Sequence, residues 1–364
     1  MSPHNDKRIL VVFPGALGDF ICLLPALERL AKYSSIDVLA RSEFAALTPA
    51  RITVGSLERL EIRSLFIPEG SGDNTVSSFF RHYSHTLSWM GSGQPTFIEE
   101  LLSVTRGKAR IFPFRPLRPS MHQVDYYLSC LGSTGGVCRP RVIPKPENLA
   151  KTEEYWKQNA LDGGPVLAIA PGSGAREKNW PSESFAAVAR WWRQRVGGIV
   201  MIILGPAEEE RGESNFLWRD SLLVRGTDLG RVAALLARCS LFVGNDSGVS
   251  HLAAAVGTPT VAVFGPSDNA QWAPRGPRVL ILARNVECSP CTLPTMKTCA
   301  HRKCLTAFGA PEVIRELEAF PAIATLTRAR AGITVACEVS LESTRRIDDK
   351  ITHQANARAV NDPK

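Results

Sequence analysis

VVFPGALGDFICLLPAL, residues 11–27, passes from an apolar run through a glycine turn into a second apolar segment. With Arg8–Leu10 the first run reads RILVVF, the pattern of a strand covered on both faces. Beyond Gly15 and Gly18, the residues Phe20, Leu23, Leu24, Leu27 and Leu30 recur at helical spacing and give one inward face. Pro25 lies inside that helix; without an N–H it predicts a kink there, or a restart of the helix. Strand, glycine turn and helix in this order form a phosphate-cradling loop, yet the helix mouth carries an acid, Asp19.

The same theme returns at PVLAIAPGSG (165–174), after a Pro-punctuated approach at 141–150. Phe185, Val188, Ala189, Trp192 and Val196 then mark a helix with Pro181 at its first position. GIVMIILG (198–205), a helix through the EEER region, a strand near SLLVRG and a helix at LGRVAALLARC follow. LFVGNDSG (241–248), SHLAAAVG (250–257) and TPTVAVFGP (258–266) read as strand, helix and strand, and PEVIRELEAF (311–320) as a helix. In the first half, IDVLAR (36–41) and LEIRSLFIP read as strands, and the Gly-, Ser- and Asn-rich 68–97 as loops. Alternating strands and helices predict an α/β protein with parallel sheets covered on both faces. Two halves, each opened by a glycine turn, predict two Rossmann-like doubly wound domains facing a cleft. The expected divisions are 1–155, 160–322 and a polar, partly disordered tail at 323–364.

The 364 residues suffice for two cores, and 44% hydrophobic with 21% charged residues is ordinary for a soluble globular chain. A net charge of +8 favours an anionic partner: a phosphorylated small molecule or an acidic lipid surface. No basic block is interleaved with aromatics, which sets nucleic acid aside. The start of the chain has an apolar run but no small-x-small cleavage site, and later apolar runs are too short to span a bilayer. Nine cysteines without an export signal point to reduced thiols in a cytoplasm.

VGNDSGVSHLAAAVG (243–257) places a polar turn between a buried strand and a helix, where open α/β sheets bind ligands. Ser247 and Gly248 would offer N–H groups to a diphosphate at the positive end of that helix. Asp246 would bind sugar or ribose hydroxyls, or simply cap the helix; His251 would reach the ligand from the first turn, or pack. In APGSGAREKNWPSESF (170–185), Ser173 can donate a hydroxyl and Lys178 can neutralise phosphate, the alternative being a solvated surface lysine. CSPCTLPTMKTCAHRKC (288–304) brings Cys288, Cys291, Cys299 and Cys304 close enough in sequence for a structural zinc site, against reduced or packing thiols.

Together, PGALGD…LPAL, the 170–185 block and the 243–268 block resemble glycosyltransferase family 9, the ADP-heptose:lipopolysaccharide heptosyltransferases. The likeness covers residues 8–32 and about 165–320, with all three blocks in order. It implies a GT-B architecture, with the nucleotide-sugar donor on the C-terminal domain, the acceptor on the N-terminal one, and an inverting transfer. Asp19 then matches the LGD aspartate, the catalytic base. Lys178 matches the KxWP lysine on the donor phosphates, and Asp246, Ser247, Gly248 and His251 match the D[TS]G-x-x-H donor block. Ser173 falls on a donor-contacting position; Glu208 and Thr227 fall near others. Gly174 stands where a second hydroxyl residue is common. Gly15 and Gly18 line the acceptor side.

Asp19 would take the proton of an acceptor hydroxyl while the diphosphate is held by the opposite domain. No D-x-D pair occurs, so a metal-independent mechanism with no required cofactor is expected. The expected partners are a nucleotide sugar and an anionic glycolipid or glycan, met by a cytoplasmic protein peripheral to the inner membrane. A dinucleotide oxidoreductase would need a third glycine in PGALGD, a nucleotide-sugar epimerase would need no acceptor, and a non-catalytic scaffold would not need Asp19, Lys178 and Asp246 together.

Overall fold

The computed structural model describes residues 7–69, 74–116, 121–133, 136–205, 208, 215–284 and 286–330. Strands β1 (Arg8–Val12), β2 (Ser35–Ala40), β3 (Ile52–Ser56), β4 (His85–Ser88) and β5 (Ala109–Ile111) form one sheet in the order β3-β2-β1-β4-β5. Every pairing is parallel, with Val11 opposite Val38 on one side and Leu87 on the other. Strands β6 (Val166–Ala170), β7 (Ile199–Ile203), β8 (Leu222–Val224), β9 (Leu241–Asn245), β10 (Thr260–Phe264) and β11 (Val279–Ala283) form the second, also parallel, in the order β11-β10-β9-β6-β7-β8. All five residues of β6, β9 and β10 are buried, as continuous apolar runs require. The strand order reverses between β1 and β4 in the first sheet and between β6 and β9 in the second. Crevices that bind ligands open at the carboxyl ends of such neighbours.

Helix α1 (Leu17–Ala31) runs unbroken through Pro25, with neither break nor restart. Phe20, Leu23, Leu24 and Leu27 are completely or almost completely buried, and this apolar face holds the helix across the missing N–H. The stretch LEIRSLFIP (60–68), expected as a strand, is instead helix α2 (Leu60–Arg63) followed by a 3₁₀ turn (Ser64–Phe66). Only Ile62 and Leu65 of it are inward, a three-residue spacing that suits a helix. The stretch 68–97 also departs from expectation, containing α3 (Asn74–Arg81), β4 and the start of α4 (Pro95–Val104). Val76 and Phe80 anchor the otherwise polar α3, and Phe97, Leu101 and Val104 give α4 its buried face.

Helices α5 (Gln123–Cys130) and α6 (Pro146–Gln158) lead to the second sheet. There α7 (Ser182–Trp191), α8 (Leu229–Arg238), α9 (Gly248–Ala255) and α10 (Asn269–Trp272) follow, with Pro181 at the N-cap of α7 rather than its first position. α11 (Leu293–Thr298), α12 (Lys303–Thr306), α13 (Ala310–Ala319) and α14 (Pro321–Arg330) complete the described chain. The region expected as a tail thus begins as a helix; the disorder expected further on lies outside the described residues, as does most of the EEER helix. Among the described residues, no helix is long and apolar enough to cross a membrane.

The two sheets are held together by α1 packed on α9 and by polar ties beside them. Arg275 makes a bidentate pair with Asp125 of α5, both bonds 2.7 Å, and His122 donates from Nε2 to the Ala273 carbonyl at 2.9 Å. The Val142 N–H donates to the Ala255 carbonyl at 3.0 Å. Two Rossmann-like lobes therefore face one another with the carboxyl ends of β1 and β9 meeting at the α1–α9 contact.

Candidate active site

The cavity between the lobes has a volume of about 710 Å3 and is lined from both sides, by Gly18, Asp19 and Arg115 and by Lys178, Asp246, Ser247, Gly248 and His251. Asp19 stands three residues into α1, 9% exposed. Its Oδ2 accepts the Ala16 N–H at 3.1 Å, using one of the donors that a helix start leaves unpaired. Its Oδ1 accepts from Arg115 Nη1 at 2.7 Å. Gly15 makes room for this turn: a Cβ there would lie 2.7 Å from Asp19 Cβ and 2.4 Å from the Phe13 ring.

On the facing lobe, Lys178 Nζ donates to Asp246 Oδ2 at 2.7 Å, and Asp246 is 7% exposed. Asp246 is therefore a partner of the lysine; Ser247 occupies the N-cap of α9. The loop carrying Lys178 is fixed by a residue that sequence reasoning left unassigned. Asn245, fully buried at the end of β9, accepts the Trp180 N–H at 2.8 Å and donates to the Pro171 carbonyl at 2.8 Å. Trp180 Nε1 in turn donates to the Phe308 carbonyl at 2.7 Å. Both arms of the 171–180 loop are thus pinned to the strand whose next residues, Asp246, Ser247 and Gly248, line the cavity.

Other expected site residues stand further back. Ser173 is buried, its hydroxyl within 2.7 Å of both the Ala175 carbonyl and Asn179 Oδ1, so it braces the loop and does not line the cavity. Glu208 accepts the Gly205 N–H at 2.8 Å and packs where a Gly172 side chain would stand. Thr227 donates to the Arg225 carbonyl at 2.8 Å. Both follow strands of the second sheet, β7 and β8, but neither lines the cavity. Gly174 does line it, as open backbone.

His251 touches both lobes. It is 4% exposed, its Nδ1 lies 3.7 Å from Cys22 Sγ of α1, and a Cβ on Gly18 would stand 3.1 Å from its ring. Burial holds its pKa below the ordinary value, with Asp246 and Asp19 opposing, and burial pushes the Cys22 thiol far up. A neutral imidazole beside a protonated thiol is a spacer between helices as well as a wall of the site.

Arg115 is the second residue the sequence did not single out. Its guanidinium carbon lies 4.1 Å from the Phe114 ring centroid and 4.4 Å from that of Trp272, which belongs to the other lobe. The one signal was an arginine next to an aromatic in a Pro-punctuated stretch, IFPFRP.

The four cysteines do not assemble as expected for zinc. Among the described residues, no group of three or more His, Cys, Asp or Glu side chains is placed to hold a metal ion. The thiols have local commitments: Cys291 turns to the Cys288 carbonyl at 2.8 Å, Cys299 stands beside the His301 ring, and Cys304 is buried. The visible role of this loop is to wall the cavity with Pro290, Cys291, Thr292 and Met296.

The site therefore presents an acid at one helix mouth and a lysine, an acid and a helix N-terminus opposite. Known proteins resemble this chain in sequence and in fold. A lipooligosaccharide heptosyltransferase 2 of Campylobacter jejuni is 29% identical over 330 residues, 85% of this chain and 98% of the relative. The corresponding Haemophilus influenzae protein is 25% identical over 61% of this chain; there the match spans less than two thirds of the relative, 62%. A crystal structure of a glycosyl transferase family 9 protein from Veillonella parvula superposes with TM-score 0.70 at 21% identity, covering 89% of this chain and 98% of the other. Escherichia coli ADP-heptose lps heptosyltransferase II superposes with TM-score 0.65 at 18% identity, covering 88% and 99%, which assigns the GT-B fold. The family model described as glycosyltransferase family 9 (heptosyltransferase) matches residues 116–301, just over half of the chain. With its two parallel sheets and a polar cleft between them, the chain belongs to glycosyltransferase family 9.

Proposed function

We propose that the protein transfers heptose from ADP-heptose to a hydroxyl of a lipopolysaccharide-core acceptor, with inversion at the anomeric carbon and without a metal ion. Residues 1–155 serve the acceptor and 160–322 the donor. The observation that carries this reading is that Asp19 and the Lys178–Asp246–Ser247 group, from opposite lobes, line one cavity. The donor diphosphate lies at the N-terminus of α9, where backbone N–H groups and the helix dipole meet it, and Lys178 exchanges Asp246 for phosphate oxygen. Asp246, so released, accepts hydroxyls of the donor.

The acceptor hydroxyl hydrogen-bonds to Asp19. Its oxygen attacks the anomeric carbon from the side opposite the diphosphate, the proton passes to Asp19, and the bond to phosphate breaks with its electron pair on the diphosphate. Base assistance contributes about 10²–10⁴-fold, and charge neutralisation of the leaving group supplies much of the rest. The net charge of +8 suits work at the anionic cytoplasmic face of a membrane on a glycolipid.

The test is incubation with ADP-heptose, with and without a lipid A-core acceptor, following ADP release and the anomeric configuration of the product. Acceptor-dependent release that persists in EDTA and gives an inverted product supports the reading. Release without acceptor, a retained configuration or loss in EDTA would each remove the corresponding part.

A further inference from the structure

The N-termini of α1 and α9 abut so closely that the base and the anion cradle share one wall of the cavity. A Cβ on Gly248 would lie 3.1 Å from the Gly18 nitrogen, and a Cβ on Gly18 would lie 3.6 Å from Gly248 Cα. A diphosphate at Ser247–Gly248 therefore enters beside the Asp19 carboxylate. Repulsion between them is unfavourable in a partly buried cleft unless a cation stands within reach of both.

Among the described residues lining the cavity, Asp19, Asp246 and Asp268 carry negative charge and Arg115 and Lys178 positive charge, an excess of one negative charge before any phosphate arrives. Lys178 is engaged by Asp246. Arg115 is engaged by Asp19 through one of its five N–H donors, and its side chain is 45% exposed. The guanidinium lies over both the Phe114 and the Trp272 ring, one from each lobe, so its position is set where the lobes meet.

We propose that Arg115 is shared between the base and the leaving group, pairing with Asp19 in the empty cleft and also hydrogen-bonding the donor diphosphate in the filled one. The inference rests on the donor site argued above. It follows the charge through the step: as the new C–O bond forms, Asp19 takes the proton and loses its charge, while the diphosphate gains the electron pair of the broken bond. A cation in reach of both oxyanions stabilises the start and the end of that transfer without crossing the cavity. Arginine suits the task because its planar fork can bond two oxyanions at once, which a single ammonium does less well.

Binding of ADP and of adenosine to the full chain, measured by calorimetry, tests this. Arg115→Met is expected to weaken ADP by about tenfold or more, the scale of a hydrogen bond to a charged group, and to leave adenosine unchanged. Arg115→Lys is expected to fall between. The same loss is expected on comparing Asp19→Asn with Asp19→Asn/Arg115→Met. If Arg115 no longer matters to ADP once Asp19 is neutral, it is only the counter-ion of the base and the proposal is overturned. Equal losses of ADP and adenosine would also overturn it, as structural damage. ADP binding that is absent, or untouched by Lys178→Ala, overturns the donor site itself and the role of Arg115 with it.

Discussion

Replacing Gly248 by alanine sets two physical rules against each other. Alanine is the better helix former by up to about 1 kcal/mol, so α9 by itself would gain stability. In the folded protein the new Cβ would stand 2.8 Å from Leu17 Cβ, 3.0 Å from Leu17 Cγ and 3.1 Å from the Gly18 backbone nitrogen. Ordinary carbon contacts are about 3.5–4.0 Å, so the α1–α9 contact must widen by roughly 0.7–1 Å. Overpacking of this kind costs about 1–3 kcal/mol, and a misplacement near 1 Å between reacting groups can lower a rate about 10²-fold. Gly248→Ala is therefore expected to lose about 1–2 kcal/mol of stability and about 10²-fold in kcat/KM, by denaturant unfolding and ADP-release kinetics. Gly93→Ala is the control, since no heavy atom lies within 4 Å of its Cβ position. A Gly248→Ala protein more stable than wild type and equally active would refute the argument that this contact sets the cleft.

Asp19→Asn should lower kcat by about 10²–10⁴-fold with ADP binding retained; near-normal turnover would take Asp19 out of the chemistry. Asn245→Ala leaves the buried Trp180 N–H and Pro171 carbonyl unpaired and should cost roughly 2–4 kcal/mol, while weakening ADP through a loosened Lys178 loop; unchanged stability would contradict this. His122 is held neutral, its pKa pushed down to about 4 chiefly by burial, with Arg275 adding to the effect. The unfolded chain binds a proton below about pH 6.5 that the folded chain refuses, so stability is lost as pH falls from there towards 4. The loss reaches about 3 kcal/mol, and His122→Gln should flatten that limb of the pH–stability curve; a curve of unchanged slope would count against it.

The acid at the mouth of the first glycine turn, Asp19, lines the same cavity as a second helix mouth, that of α9 at Ser247 and Gly248. How far this was legible varied along the chain. The strands RILVV, VLAIA, LFVGN and TVAVF, with their turns, could be read directly because a strand covered on both faces is a nearly continuous apolar run. The middle of the first lobe was misread. LEIRSLFIP has too few turns of pattern to separate helix from strand, and in 68–97 the polar α3 shows only Val76 and Phe80 as its buried face, while α4 has only begun, with Phe97. Ser173 stands in the second glycine turn, as expected for a residue that offers a hydroxyl to a ligand, but its hydroxyl is held by the loop itself.

Sequence alone determined the two parallel-sheet lobes and the placing of Asp19 and Ser247 at helix starts behind buried strands, since these depend on local order: strand, turn, helix. Only tertiary structure decided which charges meet. Arg115 and Asp19 are 96 positions apart, and Lys178 and Asp246 are 68 apart. Such pairs leave no periodic trace in a chain, because a salt bridge is specified by where folded backbones converge and not by neighbouring residues. The same holds for Gly18 and Gly248, whose missing side chains acquire meaning only when two helices from different lobes touch.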